Sequence, residues 1–343
     1  MEAKFILSKK KLLKQVDILK NLGLVISYSY KTNREVGNVL QELTNCFFSI
    51  HAKDEIEMIN DKSRIWFFLQ AESEDELKII LEKGVRSFVV DNEIDLQRLL
   101  KVVAEEKVEI ALSLRMKCQE HRIGTGKYFV YGMVAKRVNE LILNLENEFI
   151  KKLGVHIHRK SQNASEWEIE EELKDSLSKE CLNRLDFVNF GGGLPSVYRS
   201  LNKNVFPYIF EKIKEAREWL DSKNIQTIIE PGRFLCAPCI KLETEVIQIQ
   251  GKNIVINTTI YNCALDNVLT GTKMLVEGEK KQGEYGKVYL IKGNSPTRDD
   301  IFRYDVKLDE KKVGDKIVFL NAGAYNYTTD FFGYKKLETE IVD

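Results

Sequence analysis

Four short stretches carry side chains able to do chemistry. In IIEPGRFLCAP (228–238), Glu230, Pro231, Gly232 and Arg233 directly follow an apolar pair. The chain has only five prolines, so a rigid Pro-Gly corner between an acid and a base reads as a built site. Glu230 could pair with a protonated ring nitrogen or form an ordinary salt bridge. Arg233 could clamp an anion through two parallel N–H bonds. In GVHIHRKSQ (154–162), His156 and His158 are two residues apart and so share one face of a strand. They suit metal ligation, stacking on a flat cofactor, or a place in the core or at its mouth. In NFGGGLP (189–195), Gly191, Gly192 and Gly193 follow an apolar run. Their N–H groups could approach an anion closely, as in a phosphate-binding nest, although a tight turn also suits glycine. Lys31 ends SYSYK. A lysine there could form a Schiff base once burial or nearby charge lowers its pKa, the alternative being a surface lysine that snorkels to water.

These stretches need a scaffold that brings strand ends together. Eight short apolar runs read as strands: 24–30, 46–50, 64–69, 87–90, 108–116, 153–158, 186–190 and 225–230. Between them lie helix-period segments such as EDELKIILEKG and FEKIKEAREWLDSK. Continuous apolar strands alternating with helices imply a parallel sheet buried on both faces. Eight such units predict a closed α/β barrel of the (β/α)8, TIM-like type, whose active site lies at the C-terminal strand ends. After about residue 235 the pattern turns β-rich, through KLETEVIQIQ, NIVINTTIYN, GKVYLIKG and DKIVFLNAG. The expected organisation is a barrel over 9–235 followed by a C-terminal β-sandwich or barrel-like domain over 236–343, which the opening KFILS (4–8) joins as a strand.

Composition narrows the function classes. Lys+Arg and Asp+Glu are both 52, and zero net charge argues against an electrostatic nucleic-acid binder. No apolar run approaches the roughly 18 residues of a membrane span. The first residues lack the apolar core of a signal peptide, so a cytoplasmic protein is expected. Six cysteines are scattered, with one C-x-x-C at Cys236 and Cys239 and no second pair to complete a zinc site. Buried thiols are the expectation, and no metal.

A lysine, a ring-stacking histidine, glycines and an arginine for phosphate, and a carboxylate for a ring nitrogen form the set that pyridoxal phosphate requires. The chain resembles the barrel-type (fold type III) pyridoxal-phosphate decarboxylases that act on ornithine, diaminopimelate and arginine. YSYKTN, FFSIHAKDE, GVHIHRKSQ, GGGLP, EPGR and NAGAY carry the resemblance in order. It implies Lys31 as the Schiff-base lysine, His158 stacked on the pyridine ring, and Glu230 on its nitrogen. It implies Ser161, Gly191, Gly192, Gly193, Gly232, Arg233 and Tyr325 around the phosphate, and Arg122 in HRIGTGK near the cofactor. Related racemases place an arginine at the ring nitrogen, so a glutamate favours decarboxylation. The resemblance also implies a homodimer with shared sites, in which segments 295–300 and 321–331 cross to the partner, and an amino-acid substrate.

One family segment departs. Where the family has G-x-x-C-D-x-x-D, this chain reads GNSPTRDD (293–300), with Pro296 for the cysteine and Thr297 for the aspartate. A second family aspartate is Thr258, before Tyr261. Ornithine or lysine would leave a distal ammonium without its carboxylates, unless Asp299, Asp300 or Asp330 replaces them. Ser295, Thr297 and Asp300 are therefore the expected substrate contacts from the partner subunit. Tyr261, Cys263, His158 or water are the candidate proton donors. The main expectation is decarboxylation of an amino acid or amino-acid-derived intermediate. The alternatives are a non-catalytic homologue that acts by binding a protein, and a racemase or epimerase.

Overall fold

The structure is a computed structural model that describes residues 1–118, 131–201, 203–326, 328–330 and 333–343. After β1 (Lys4–Ser8), eight parallel strands close into a barrel: β2 (Val25–Ser29), β3 (Phe47–Ile50), β4 (Ile65–Phe68), β5 (Ser87–Val90), β6 (Ile110–Arg115), β7 (Ile150–His156), β8 (Phe187–Asn189) and β9 (Gln226–Ile229). Seven fall within the apolar runs read from the sequence, and β7 overlaps its run (153–158) but starts three residues earlier, at Ile150. Helices follow most strands, and the helix starts are written locally. Asn33 caps the helix Arg34–Leu43, Ser73 and Glu76 form a capping box, and Asn92 caps Glu93–Glu106.

Alternation along each strand decides what enters the barrel. Trp66, Phe68, Val89, Phe187 and Ile228 form the apolar interior, with Val25, Phe47 and Ala111 packed against them. A side chain at Gly154 would stand 2.3 Å from the Phe187 ring, so glycine there is what admits that ring. Continuing each strand by steps of two from these positions reaches Ser27, Ser49 and His51, Gln70, Asp91, Ser113 and Arg115, His156 and His158, Asn189, and Glu230. The same period that buries the apolar floor therefore aims polar groups into the upper barrel.

The chain then enters a second, mostly antiparallel sheet: β10 (Ile240–Gln250), β11 (Asn253–Ile256), β12 (Leu275–Val276), β13 (Lys287–Lys292), β14 (Ile301–Leu308), β15 (Lys316–Leu320) and β16 (Glu338–Val342). β1 pairs antiparallel with β10, as the opening KFILS suggests, and parallel with β16, which the sequence pattern does not announce. NIVINTTIYN is strand only to Ile256. Thr259 and Asn262 form a capping box that turns Ile260–Cys263 into a short helix. No helix among the described residues is long and apolar enough to cross a membrane.

Candidate active site

At the C-terminal end of the barrel, a cavity of about 450 Å³ is lined by Lys31, His158, Ser161, Gly192, Gly193, Glu230, Gly232, Arg233 and Tyr325. Nine of the residues expected from sequence thus face one space. Gly191 sits behind it, with its N–H on Asn189 Oδ1 at 2.8 Å. Its φ of +65° and a would-be Cβ 2.1 Å from the Ile157 carbonyl require glycine there. Arg122 lies outside the described residues.

Glu230 is the best-connected group. Its Oε1 accepts from Ser49 Oγ at 2.7 Å and from Asn189 Nδ2 at 3.0 Å, and its Oε2 faces His156 Nε2 at 3.0 Å. Ser49 spends its proton on Glu230, so Ser27 donates to Ser49, 2.8 Å away. Burial pushes the Glu230 carboxyl up, but His156 and Ser49 outweigh it and bring the pKa down to about 2. A carboxylate has about four lone-pair directions, and these partners occupy three.

The histidines beside it are held neutral. Burial, with help from His156 and Arg115, lowers the His158 pKa to about 3, and burial likewise takes His51 to about 3. The His158 ring lies nearly parallel to that of His156, at 14° and 6.2 Å. Its Nδ1 accepts the Gly192 N–H at 3.3 Å, so its proton sits on Nε2. His156, His158 and Glu230 bring donor atoms within 4.8 Å of one another, so the trio has the composition of a metal site as well as of a ring site. Lys31 reaches water through the cavity, yet burial by the surrounding mouth lowers its pKa despite the attraction of Glu230. A larger share of free amine follows.

Arg233 differs from expectation. Its two terminal nitrogens hold Asp266, at 2.5 and 2.9 Å, and Nη1 also reaches Tyr198 Oη at 3.0 Å. Of its five N–H groups three are used, which leaves Nε–H, buried without a partner, and the second Nη2–H to offer an anion. The end of the guanidinium is thus taken by Asp266, and only its Nε/Nη2 side is left for a ligand. The guanidinium lies between the rings of Tyr198 and Tyr325, 5.4 and 5.2 Å from their centres. Asp266 comes from the second sheet's helix Leu265–Thr270, so the pair also ties that sheet to the barrel.

The loop 321–326 belongs to its own barrel and does not cross away from it. Tyr325 N–H donates to Thr32 O at 3.0 Å, and Asn33 Nδ2 donates to Gly323 O at 2.9 Å. Asp300 is likewise unsuited to gripping a substrate. It is fully buried, and its two oxygens accept the Ile260 and Ser295 N–H groups at 2.9 and 3.0 Å. Cys263 is fully buried too. Its thiol donates to Thr259 O at 3.1 Å, and burial raises its pKa to about 12, a poor acid with no access. Thr297 donates to Tyr261 Oη at 3.0 Å and neighbours Ser295 Oγ at 2.7 Å. Tyr261 lines a second hollow with Asn267, Lys273 and Asp299. Asp299 and Asp330 are exposed, 3.3 Å from Arg298 and 3.5 Å from Lys336 respectively.

Sequence reasoning missed Arg115, His51, Gln70, Asp91 and Tyr131, which line the cavity opposite the glycines. It also missed Asn189 and Asp266. Arg115 had a signal: in SLR it follows Ala111 and Ser113 at inward spacing. Burial lowers its pKa, and its guanidinium lies 5.4 Å from the centre of the Tyr131 ring.

Comparisons with known proteins agree with this geometry. The family profile "Pyridoxal-dependent decarboxylase, pyridoxal binding domain" matches residues 9–237. Diaminopimelate decarboxylase of Pseudomonas fluorescens is 25% identical over 338 residues, covering 91% of this chain and 79% of that protein. Antizyme inhibitor 2 of Xenopus laevis is 24% identical, covering 90% and 74%. In fold, the chain superposes on diaminopimelate decarboxylase from Helicobacter pylori with a TM-score of 0.83 at 20% identity, over 100% of this chain and 92% of that one.

Proposed function

The chain belongs to the pyridoxal-dependent decarboxylases, and from that premise we propose that its barrel mouth decarboxylates an amino acid or amino-acid-derived intermediate with pyridoxal 5'-phosphate held on Lys31. The observation that carries this is Glu230: an ionised carboxylate at the cavity wall with one lone pair left for a protonated ring nitrogen. The donor set fits the rest of the cofactor. The His158 ring offers a flat face. Gly192, Gly193, Ser161, Tyr325 and Arg233 Nε surround a place for the phosphate.

When bound, pyridoxal phosphate supplies an electron sink for the pair left as the Cα–carboxylate bond breaks. The chain supplies position and charge. Lys31, with its lowered pKa, is the amine that would hold the cofactor. Glu230 keeps the ring nitrogen's proton in place, which deepens the sink. Arg115 is the cation on the open side of the cavity, where a carboxylate would enter.

The dimer belongs to the same proposal. The second hollow, with Tyr261, Lys273 and Asp299, covers the mouth of the partner's barrel, and Tyr261 is its proton donor. Val268 and Leu269 beside it are 47% and 76% exposed, as an interface would leave them in a lone chain. With Thr297 in place of an acid, Asp300 used internally and Asp299 paired with Arg298, the substrate's far end is neutral or anionic rather than a bare ammonium.

The test adds pyridoxal phosphate to purified protein, records its visible absorption, and measures CO₂ release from diaminopimelate, lysine, ornithine, arginine and their N-acylated forms. A bound-cofactor band and CO₂ from an acylated or acidic amino acid support the reading. A protein that takes up no cofactor overturns it in favour of a non-catalytic binder, the reading that Pro296 and the similarity to an antizyme inhibitor favour. Mixing a Lys31→Ala chain with an Asp300→Ala chain tests the shared sites. Partial recovery of activity supports them, and none means that each chain is self-contained.

A further inference from the structure

Resting on the cofactor reading above, we propose that His156 is a positioning residue: a neutral imidazole whose N–H holds Glu230 as an anion open only to a protonated ring nitrogen. Glu230 has no formal cation among its hydrogen-bond partners. Ser49, Asn189 and His156 are the three donors. Two of them are fixed from behind, Ser49 by Ser27 and Asn189 by the Gly191 N–H. His156 is the third, and the only one that could carry charge.

Its surroundings keep it neutral. The ring is fully buried, and burial lowers its pKa more than Glu230 raises it. Arg115 also opposes a proton there, and Lys31, His51, Asp91, Tyr131, His158, Arg233 and Tyr325 are the other titratable groups lining this end of the barrel. The Phe68 ring stands edge-on to it at 5.2 Å and 83°. Nδ1 is buried without a partner, so no acceptor holds a proton on that side. The one proton of a neutral ring must then sit on Nε2, 3.0 Å from Glu230 Oε2, where it makes the hydrogen bond.

Neutrality matters for what Glu230 can do. A protonated His156 would form an ion pair with it and satisfy its charge internally. A neutral His156 stabilises the carboxylate by a hydrogen bond and adds no positive charge to that of Lys31 and Arg115, which act on Glu230 across the cavity without bonding to it. A buried anion in that state favours a ligand that brings its own cationic N–H. The proton shared between Glu230 and a ring nitrogen then stays on the nitrogen, because three hydrogen bonds to Glu230 favour its anion. No proton leaves the dyad in this account: Nε2 keeps its own, and the ring keeps its own.

The experiment uses the full-length protein loaded with pyridoxal phosphate labelled with ¹⁵N in the ring, and follows that nitrogen's chemical shift between about pH 6 and pH 9. The native chain should stay protonated throughout. His156→Leu, which removes the donor, should load cofactor yet lose the ring proton inside that range, and kcat should fall at least tenfold with KM nearly unchanged. His156→Gln, which restores a neutral N–H, should regain the native shift and most of kcat. In a Glu230→Gln background, His156→Leu should change neither. The proposal is overturned if His156→Leu keeps the native shift, if Gln fares no better than Leu, or if the loss is as large without Glu230. Should His156→Leu not fold, His156→Asn takes its place, since its shorter amide falls short of Oε2. A native chain that binds no pyridoxal phosphate would instead overturn the decarboxylase reading.

Discussion

At the barrel mouth, Glu230 collects three hydrogen bonds from side chains on three other strands and still faces a cavity. In the 293–300 segment of the second sheet, Asp300 collects two from nearby backbone and faces none of the cavity. Both carboxylates are buried, and both are satisfied. The difference is where the donors come from. Side-chain donors from distant strands hold a functional group in place, whereas backbone donors from the loop itself and from the adjoining helix Ile260–Cys263 hold the loop in place. The mouth is thus built around something absent from the chain, and the segment around itself. Chemistry at the first region and substrate choice at the second are therefore separable.

The largest effect that tests this separation is at Lys31. Lys31→Ala should reduce CO₂ release by at least about a thousandfold while leaving the fold intact, because the residue reaches the cavity's water and is not part of the core. Steady-state rates and a thermal melt check both halves. A large drop in melting temperature would show that the mouth, too, is built for itself.

Asp266 breaks the division on purpose, since it is a residue of the second sheet that serves the mouth. Asp266→Asn leaves the Arg233 charge buried between two rings with a weaker partner. Breaking such a pair typically costs about 3–5 kcal/mol. Denaturant unfolding should show a loss of that order, together with weaker pyridoxal phosphate uptake. Unchanged stability with tighter uptake would mean that Asp266 merely competes with the phosphate for Arg233.

Acid should find the mouth before it finds the segment. His51 and His158 are held neutral with pKa values of about 3. An unfolded chain takes up those protons near pH 6.5, so stability is full above that pH. It falls as the pH drops toward 3, by up to about 1.4 kcal/mol per pH unit for each histidine. Glu230 adds to this fall below about pH 4.5, where an unfolded carboxyl takes up its proton, down to about pH 2. Melting temperatures of the cofactor-free protein across pH 4–8 should show the slope, and His51→Phe, which keeps the stack on Phe68, should reduce it.

Much of the mouth was legible because strand alternation and glycine requirements are local. YSYK, HIH, NFGGG and EPGR place their side chains by period and turn alone. Arg233 was legible as a cation at the right place but not in its partner, because Asp266 is a partner only through the packing of a different sheet. Asn189 and Ser49 were illegible for a similar reason: nothing in FVNF or FFSI says that their short side chains will meet a carboxylate from another strand. Arg115 could have been found by counting inward positions along IALSLR. The strand Glu338–Val342 is exposed and charged, and its pairing with β1 comes from topology rather than pattern.

The smallest expected effect sharpens the comparison most. Pro296→Cys with Thr297→Asp writes the family's acid and thiol back into the segment. Thr297 now spends its hydroxyl on Tyr261 and Ser295, both uncharged. If the segment completes a partner's site, the new carboxylate supplies what a distal ammonium lacks. CO₂ release from lysine or ornithine should then rise by about tenfold, the worth of roughly 1.4 kcal/mol, mainly through KM. Cofactor absorption should stay as it is, because no mouth residue has changed. A gain that appears equally in a chain kept monomeric would place the segment over its own barrel, and no gain with lysine or ornithine would mean that Asp300 has locked the loop into a shape that cannot present the acid.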